Sequence, residues 1–215
     1  MVAAPQKETI TAVILAGGRG SRMGGVDKGL QLFNGVPLAQ YALKRLQPQV
    51  ASVMLNANRN LLEYEAFGVP VWPDDDELGE FAGPLAGITA ALQHCATPYL
   101  LTVPCDAPLF PADLAARLSA GLAQAQADFA VAASPEANGT LRAHSVFCLM
   151  RSSMLASLLR YTAAGGRKVS DWTAQHPVVQ VAFNQPGDDA NAFFNANTLA
   201  DLQSLARPLT RFALI

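Results

Sequence analysis

A glycine-rich segment carrying several cations is the part of the sequence best suited to chemistry. Residues 15–28 read LAGGRGSRMGGVDK and directly follow an apolar run. Glycines let successive backbone N–H groups turn toward one concavity, and phosphate oxygens can approach them without meeting a Cβ atom. Arg19, Arg22 and Lys28 add positive charge. We therefore expect this segment to bind the phosphates of a nucleoside triphosphate.

The segment differs from two common nucleotide-binding sequences. It lacks the GxxxxGK[ST] pattern of P-loop NTPases, and GxGxxG does not occur in register from Gly18 or Gly20. Taken alone, the segment also fits a flexible, solvated glycine loop. Its assignment therefore depends on residues elsewhere in the chain.

A second candidate, Asp106, follows the apolar run of residues 99–103 within the sequence PCDAP. Ligands of open α/β sheets bind at the carboxyl ends of strands. A carboxylate there suits Mg²⁺, which takes one or two protein oxygens together with phosphate oxygens. Asp106 is thus our candidate metal ligand, the alternative being a capping aspartate before a helix that starts near Pro111.

A third group of polar residues could recognise a base. NANR at residues 56–59 follows a predicted strand, and Asp74 begins the acidic run DDDE. Guanine presents two neighbouring donors, N1–H and N2–H₂, which one carboxylate can accept, while an amide reads other edge atoms. Asp74 with Asn56 would fit guanine, although the run also fits a solvated acidic loop.

The elements that must position these residues alternate between short apolar runs and segments of helical periodicity. Predicted strands cover residues 11–16, 52–56, 69–72, 99–103, 129–133 and 143–149, and predicted helices cover residues 37–47, 61–67, 84–94, 111–125, 152–161 and 198–205. Residues 165–197 are less regular. The pattern predicts one α/β domain over residues 1–215, with three layers, a mainly parallel sheet and a Rossmann-like nucleotide-binding half.

Composition excludes several other classes of function. The hydrophobic fraction is 51%, the charged fraction is 15% and the formal net charge is −2, so we expect no nucleic-acid or anionic-membrane partner. The start, MVAAPQKETI, has no apolar stretch like that of a signal peptide, and a cytoplasmic location is expected. The three cysteines and three histidines are scattered, so no zinc site is expected.

Taken together, the motifs resemble molybdenum cofactor guanylyltransferases. LAGGRGSRMGGVDK, NANR, the Asp74 loop leading to GPLAG at residues 83–87, and PCDAP occur in this order. The LAGG loop alone would indicate only the wider nucleotidyltransferase superfamily, whereas the ordered set is much more specific. The resemblance is strong over residues 10–110 and looser to residue 197.

The resemblance implies transfer of GMP from GTP to the terminal phosphate of molybdopterin, with release of pyrophosphate and with Mg²⁺ as cofactor. It implies GTP-binding residues Leu15, Ala16, Gly17, Gly18, Lys28, Asn56, Asp74 and Asp106, and catalytic residues Arg22, Lys28 and Asp106. Residues of about 8–110 would form the GTP-binding half and about 111–215 the molybdopterin-binding half. Molybdoenzymes or their chaperones are further expected partners.

The molybdopterin side is assigned to Arg167, Lys168, Asn195 and Asn197. The two cations could bind the terminal phosphate, and the two amides precede a predicted helix. Asn197 could instead cap that helix and Asn195 could be a turn residue.

Two other residues stay open at this stage. Trp172 could stack on a pterin ring, although an aromatic residue in this setting usually belongs to the core. His144 matches a histidine of the family, but its role is undecided.

Two alternatives remain within the superfamily: a molybdopterin cytidylyltransferase and a sugar-phosphate nucleotidyltransferase. A third alternative belongs to another class, a GTP-binding adaptor without catalysis. Such an adaptor would keep the phosphate loop but would need no metal carboxylate, so Asp106 discriminates between the classes.

Overall fold

The structure is a computed structural model that describes residues 3–18, 26–75, 83–136 and 138–205. Within these ranges the strands are β1 (Ile10–Leu15), β2 (Leu32–Phe33), β3 (Val36–Pro37), β4 (Ser52–Asn56), β5 (Val71–Trp72), β6 (Tyr99–Pro104), β7 (Phe129–Pro135), β8 (Leu141–Arg151) and β9 (Val178–Ala182). The α-helices are α1 (Leu38–Leu46), α2 (Leu61–Glu65), α3 (Pro84–Gln93), α4 (Leu114–Ala125), α5 (Leu155–Ala163), α6 (Val169–Thr173) and α7 (Leu199–Leu205).

A seven-stranded sheet in the order β5-β4-β1-β6-β8-β7-β9 forms the centre of the molecule. All neighbouring strands run parallel except β8, which is antiparallel to both β6 and β7. Leu15, the last residue of β1, pairs with Asn56 of β4 and with Pro104 of β6. The carboxyl ends of these three strands therefore meet at one edge of the sheet.

Alternation along the strands produces a core on each face of the sheet. Ile14 packs with α1 and α4 on one face, whereas its neighbour Val13 packs with α3, α5 and Trp172 of α6 on the other. Successive side chains of a strand point to opposite faces, so a strand buried on both sides reads as a continuous apolar run. The expected three-layer α/β fold with a mainly parallel sheet is confirmed.

Four short elements were not predicted from the sequence patterns. The β2–β3 hairpin has two residues in each strand, α6 has five residues, and β9 lies at the edge of the sheet with partly exposed residues. Helix α6 and β9 both fall within residues 165–197. A single helical turn or a half-exposed edge strand carries too few apolar residues to show a clear period.

A large bulge interrupts strand β8 beside the carboxyl end of β6. The β7 partner of Val131 is Cys148, but that of the next residue, Ala132, is His144, so residues 145–147 have no counterpart in β7. Strand β6 pairs with β8 only as far as Cys148. Bulges bend a strand and often lie next to functional sites. Here the first part of β8, residues 141–147, does not pair with β6.

No helix in the described parts of the chain is both long and apolar enough to cross a membrane.

Candidate functional site

The first site residues lie at the carboxyl ends of the three central parallel strands. The Ala16 N–H donates to the Asn56 carbonyl at 2.8 Å, and the Cys105 N–H donates to the Leu15 carbonyl at 3.1 Å. These bonds continue the parallel ladders by one residue beyond the strands. Gly17 and Gly18 follow directly. The start of the glycine-rich segment therefore lies at the carboxyl end of β1, between Asn56 at the end of β4 and Asp106 just after β6.

Lys28 links three distant parts of the chain. Its Nζ donates to Asp106 Oδ2 at 3.1 Å and to Asn197 Oδ1 at 2.8 Å. The side chains of Lys28 and Asp106 are 19% and 15% exposed, so water weakens their attraction less than it would at an open surface. The structure thus brings together one residue from each of the predicted phosphate, metal and molybdopterin sites.

One oxygen of Asp106 is suited to a metal ion. Within the described residues, Asp106 Oδ1 is buried and has no hydrogen-bond partner. A buried carboxylate oxygen without a partner is unfavourable and calls for an ion or water. The described residues contain no cluster of three or more His, Cys, Asp or Glu side chains arranged for a metal. A cation held by one carboxylate and by substrate phosphates matches this arrangement, and it is the usual arrangement for Mg²⁺.

Asn56, Asn58 and Asp74 form a closed hydrogen-bond network at the end of β4. Asn56 Nδ2 donates to Asp74 Oδ1 at 2.8 Å, and Asn58 Nδ2 donates to Asp74 Oδ2 at 2.7 Å. The Asp74 N–H donates back to Asn58 Oδ1 at 2.7 Å. The predicted pair is therefore a triad. Asn58 stands two residues after Asn56, a spacing that places both side chains on one face of an extended chain, and this was the missed signal.

Two glycines make room for this network. A Cβ atom on Gly87 would lie 2.2 Å from Asn56 Oδ1, and one on Gly17 would lie 3.0 Å from the same atom. A Cβ atom on Gly18, by contrast, would have no described atom within 4 Å. Gly17 and Gly87 thus make room for side chains of the protein itself, whereas no described atom occupies the space next to Gly18.

Asp27 is a buried residue of the site that sequence reasoning did not identify. It is 6% exposed. It accepts hydrogen bonds from the Gly29 N–H at 3.1 Å, from the Tyr64 hydroxyl at 2.5 Å and from Asn60 Nδ2 at 3.0 Å. Burial, followed by the hydrogen bond to Asp27, raises the pKa of Tyr64 far above its usual value, so the hydroxyl remains a donor. Asp27 therefore fixes the backbone on both sides of Lys28.

Asn197, which could have capped the last helix, does not cap α7. The Thr198 Oγ1 accepts from the Asp201 N–H at 3.1 Å, and Asp201 Oδ2 accepts from the Thr198 N–H at 2.8 Å, a reciprocal capping box. Asn197 is left to bind Lys28 through its oxygen, while its Nδ2 donates to the Asn195 carbonyl at 3.2 Å. Asn195 itself is exposed.

The two predicted cations of the second half lie in the turn between α5 and α6. Arg167 Nη1 donates to the carbonyls of Thr162 at 3.2 Å and Gly166 at 2.8 Å. Lys168 is exposed and immediately precedes α6. These contacts are local to the turn, unlike those of Asn197. The third predicted catalytic residue, Arg22, lies outside the described residues, as does Arg19.

Trp172 takes the core position that was its alternative to pterin stacking, and His144, whose role was undecided, packs among aromatic rings. Trp172 is 0% exposed and packs in the core, where its Nε1 donates to Ser157 Oγ at 3.2 Å. His144 Nε2 and Ser134 Oγ lie 2.8 Å apart, and the imidazole stacks on Phe193 at 4.8 Å between ring centroids. Burial, and to a lesser degree Arg142, lowers the pKa of His144, so the ring is neutral at pH 7.

Comparison with known sequences supplies the family. The MobA-like NTP transferase domain matches residues 12–179. The chain belongs to the MobA-like NTP transferase family. Among its relatives is the molybdenum cofactor guanylyltransferase of Acidovorax ebreus (strain TPSY), 62% identical over 201 residues, which are 91% of this chain and 94% of the relative. The resemblance indicated by the ordered motifs is thereby confirmed, and the protein is a nucleotidyltransferase.

Solved structures match this MobA-like NTP transferase at low sequence identity. Molybdopterin-guanine dinucleotide biosynthesis protein A from Archaeoglobus fulgidus matches with a TM-score of 0.71 and 21% identity, covering 92% of this chain and 96% of that one. The 4-diphosphocytidyl-2C-methyl-D-erythritolsynthase from Anaerococcus prevotii matches with a TM-score of 0.70 and 11% identity, covering 93% and 97%. The same fold thus occurs in proteins named for guanine and for cytidine nucleotides.

The Asp27 environment of this MobA-like NTP transferase yields a stability prediction. Tyr64→Phe removes a hydrogen bond to a buried carboxylate, so the free energy of unfolding should fall by about 1.5–3 kcal/mol. Urea denaturation measures it. The control is Tyr41→Phe, at a half-buried ring that packs edge-on against Phe33, and it should change stability by less than about 0.5 kcal/mol. Equal losses in the two variants would contradict the role of Asp27.

Proposed function

We propose that this MobA-like NTP transferase transfers GMP from GTP to the terminal phosphate of molybdopterin, forming the guanine dinucleotide cofactor and pyrophosphate. The observation that carries the proposal is the contact of Lys28 Nζ with both Asp106 and Asn197. Through this contact, Lys28 joins Asp106 to Asn197, a residue 169 positions further along the chain, which supports a site that takes two substrates. The name of the Acidovorax relative, at 62% identity, supports the same reaction.

The reaction needs positioning and charge neutralisation more than a reactive side chain. A phosphate oxygen of molybdopterin attacks the α-phosphorus of GTP, the bond to the bridging oxygen breaks, and pyrophosphate leaves. A phosphate monoester has a second pKa of about 6, so the attacking group is already ionised near neutral pH. Neither a side-chain nucleophile nor a general base is required. The protein must hold two anions close together.

Lys28 supplies a cation for this purpose. An ammonium group has three donors, and two are used by Asp106 and Asn197, so the third can meet a phosphate oxygen. Arg22, from the same glycine-rich segment, is proposed to act with Lys28 on the leaving group. Because Asp106 and Asn197 hold the ammonium group in place, it can neutralise phosphate charge without moving far.

The nucleotidyltransferase family suggests a divalent metal, and we propose Mg²⁺ at Asp106. The buried Oδ1 of that residue fits such a ligand. When bound, the cation would neutralise phosphate oxygens of the nucleotide. A GTP-binding adaptor without catalysis would not need such a carboxylate, so the orphaned oxygen favours an enzyme over an adaptor.

The Asp74 carboxylate supports guanine as the base. It accepts one hydrogen bond from each asparagine of the triad, and an ionised carboxylate can accept about four. Two positions remain for the N1–H and N2–H₂ donors of guanine, whereas cytosine offers only the N4–H₂ donor on its pairing edge. The Anaerococcus structure, named for a cytidine nucleotide, has the same fold. The fold therefore does not separate a guanylyltransferase from a molybdopterin cytidylyltransferase, and the proposal of guanine depends on the Asp74 carboxylate.

The two substrates would divide the chain. Residues of about 8–110, including Leu15, Ala16, Gly17, Gly18 and Asn56, would bind GTP, and residues of about 111–215 would bind molybdopterin within the same domain. Asn195 and Asn197, with Arg167 and Lys168, are the proposed molybdopterin residues. We further propose that the product passes to molybdoenzymes or their chaperones and that the enzyme acts in the cytoplasm.

The deciding experiment offers the purified protein three nucleotides. With molybdopterin and Mg²⁺ present, GTP should yield pyrophosphate and a dinucleotide, both measured by chromatography and mass spectrometry, while CTP and ATP should yield at least about tenfold less. A preference for CTP would overturn the base assignment. No product with any nucleotide would overturn the proposed reaction.

Asp106→Asn tests the metal ligand. The variant keeps the shape of the side chain but loses its charge, so kcat should fall by about 100-fold or more. The dissociation constant for GTP, measured without Mg²⁺, should change by less than about tenfold, because Asp74 and the glycines are unchanged. Asp128→Asn is the control, since Asp128, like Asp106, is an ion-paired aspartate; its partner is Arg151 at 3.3 Å. Unchanged turnover in Asp106→Asn would contradict the metal role.

Gly18→Ala separates folding from phosphate binding. The new Cβ meets no described protein atom, so the Tm should stay the same, but a phosphate near the backbone would be obstructed and GTP affinity should fall by about tenfold or more. Gly17→Ala is the comparison, because its Cβ would lie 2.8 Å from Asn58 Nδ2 and should lower the Tm as well. Full GTP affinity in Gly18→Ala would show that phosphates do not bind at this glycine.

A further inference from the structure

Residues 183–197, here called the return segment, carry the chain from the edge strand β9 back to the site. Near its end, the Ala196 N–H donates to the Asp106 carbonyl at 2.8 Å. The next residue, Asn197, accepts from Lys28 at 2.8 Å. The return segment has no regular secondary structure of its own. The bond from Ala196 anchors the end of the return segment, and side-chain contacts anchor its earlier part.

Arg117 of α4 makes the most extensive of these contacts. Its Nη1 and Nη2 donate to Asp188 Oδ1 and Oδ2 at 2.7 and 3.0 Å, and Nη2 also donates to the Ala182 carbonyl at 2.8 Å. The guanidinium lies over the Phe183 ring, 3.9 Å from its centroid. A bidentate arginine–carboxylate pair specifies geometry as well as charge. One side chain thus binds the strand end, the aromatic ring and the return segment.

The pair persists at neutral pH. Its side chains are 14% and 17% exposed. The hydrogen bonds from Arg117 lower the pKa of Asp188 below its usual value, so the carboxylate is charged throughout the neutral range.

A block of aromatic rings connects this ion pair to the site. Phe183 packs edge-on against Phe193 at 5.0 Å, and Phe193 packs edge-on against Phe147 at 4.9 Å and stacks on His144 at 4.8 Å. Phe147 belongs to the bulge of β8. Protein interiors contain few voids that could absorb a displacement, so close-packed rings pass it on to their neighbours. Movement at Phe183 would therefore shift Phe193 and the residues that follow it.

We propose that Arg117 is a positioning residue for the guanylyl transfer. Through Asp188 and Phe183 it holds the return segment so that Asn197 fixes the ammonium group of Lys28 beside Asp106. Arg117 itself touches neither the proposed nucleotide residues nor the metal ligand. The kinetic consequence rests on the proposed function, whereas the geometric consequence for Lys28 does not.

Arg151 provides a matched control elsewhere in the fold. It pairs with Asp128 at 3.3 Å and lies over the Tyr99 ring, 5.7 Å from its centroid. Tyr99 is the first residue of β6, so this pair stands at the opposite end of that strand from Asp106. Arg151→Ala also removes an arginine–aspartate–aromatic contact, and it should leave kcat within about twofold of the parent.

The kinetic test is a double-mutant cycle. Arg117→Ala and Asn197→Ala should each lower kcat by about 10- to 100-fold, with the dissociation constant for GTP nearly unchanged. The double variant should be no slower than Asn197→Ala alone, because Arg117 acts through that residue. Asp188→Asn, which keeps the shape of the carboxylate, should reproduce the loss, and Arg117→Lys should lie between Arg117→Ala and the parent. Multiplicative losses in the double variant would overturn the proposal.

The second test does not require activity. Reductive methylation with formaldehyde and borohydride, quantified at Lys28 by mass spectrometry, should proceed faster in Arg117→Ala and in Asp188→Asn than in the parent or in Arg151→Ala. The measurements are made well below the Tm of each variant. If the parent transfers no GMP but Lys28 labelling increases as expected, the reaction is wrong and the positioning role stands. Unchanged labelling in both variants overturns the positioning role whatever the activity.

Discussion

The ammonium group of Lys28 is the point on which the described site depends. Its acceptors, Asp106 and Asn197, are 78 and 169 residues away in the sequence. A partly buried cation needs such partners, because charge removed from water without compensation is strongly unfavourable. The residues after β6, the last residue of the glycine-rich segment and the end of the return segment must therefore be held in place at the same time. Each has its own support: the parallel ladder for Asp106, the buried Asp27 for Lys28, and Arg117 for Asn197.

The sheet explains why these supports are needed. Parallel strands β1, β4 and β6 bring Leu15, Asn56 and Pro104 to one edge. The next strand, β8, runs the opposite way, and its pairing with β6 stops at Cys148, where the bulge begins. Beyond that point, Phe147 of the bulge packs on Phe193 of the return segment. The irregular part of the sheet is thus the part that completes the site.

Residue type and spacing were enough to predict which polar residues the strand ends bring together. Asp106 ends an apolar strand between prolines, and Asn56 ends another, so the topology alone places both at one edge. Asp27 was missed, because beside Lys28 a carboxylate resembles a solvated ion pair and its partner Tyr64 lies 37 residues further on. Arg117 was missed for the same reason, since it stands on a regular helix and its partner is 71 residues away. Long-range partners leave no local period, and neither does a half-exposed edge strand such as β9.

The triad at the end of β4 refines how a base would be read. Asn56 Nδ2 already donates to the Trp72 carbonyl at 3.1 Å and to Asp74 at 2.8 Å, so both amide protons are used within the protein. Its oxygen faces Gly87 so closely that a Cβ there would collide with it, and a Cβ on Gly17 would lie only 3.0 Å from it. Asn56 therefore acts chiefly by orienting Asp74, with Asn58 fixing the other oxygen. The Asp74 carboxylate is thus held through both of its oxygens. Under the proposed function, discrimination among bases falls on this carboxylate and not on the asparagines, because an ionised carboxylate accepts about four hydrogen bonds and the two asparagines supply one each.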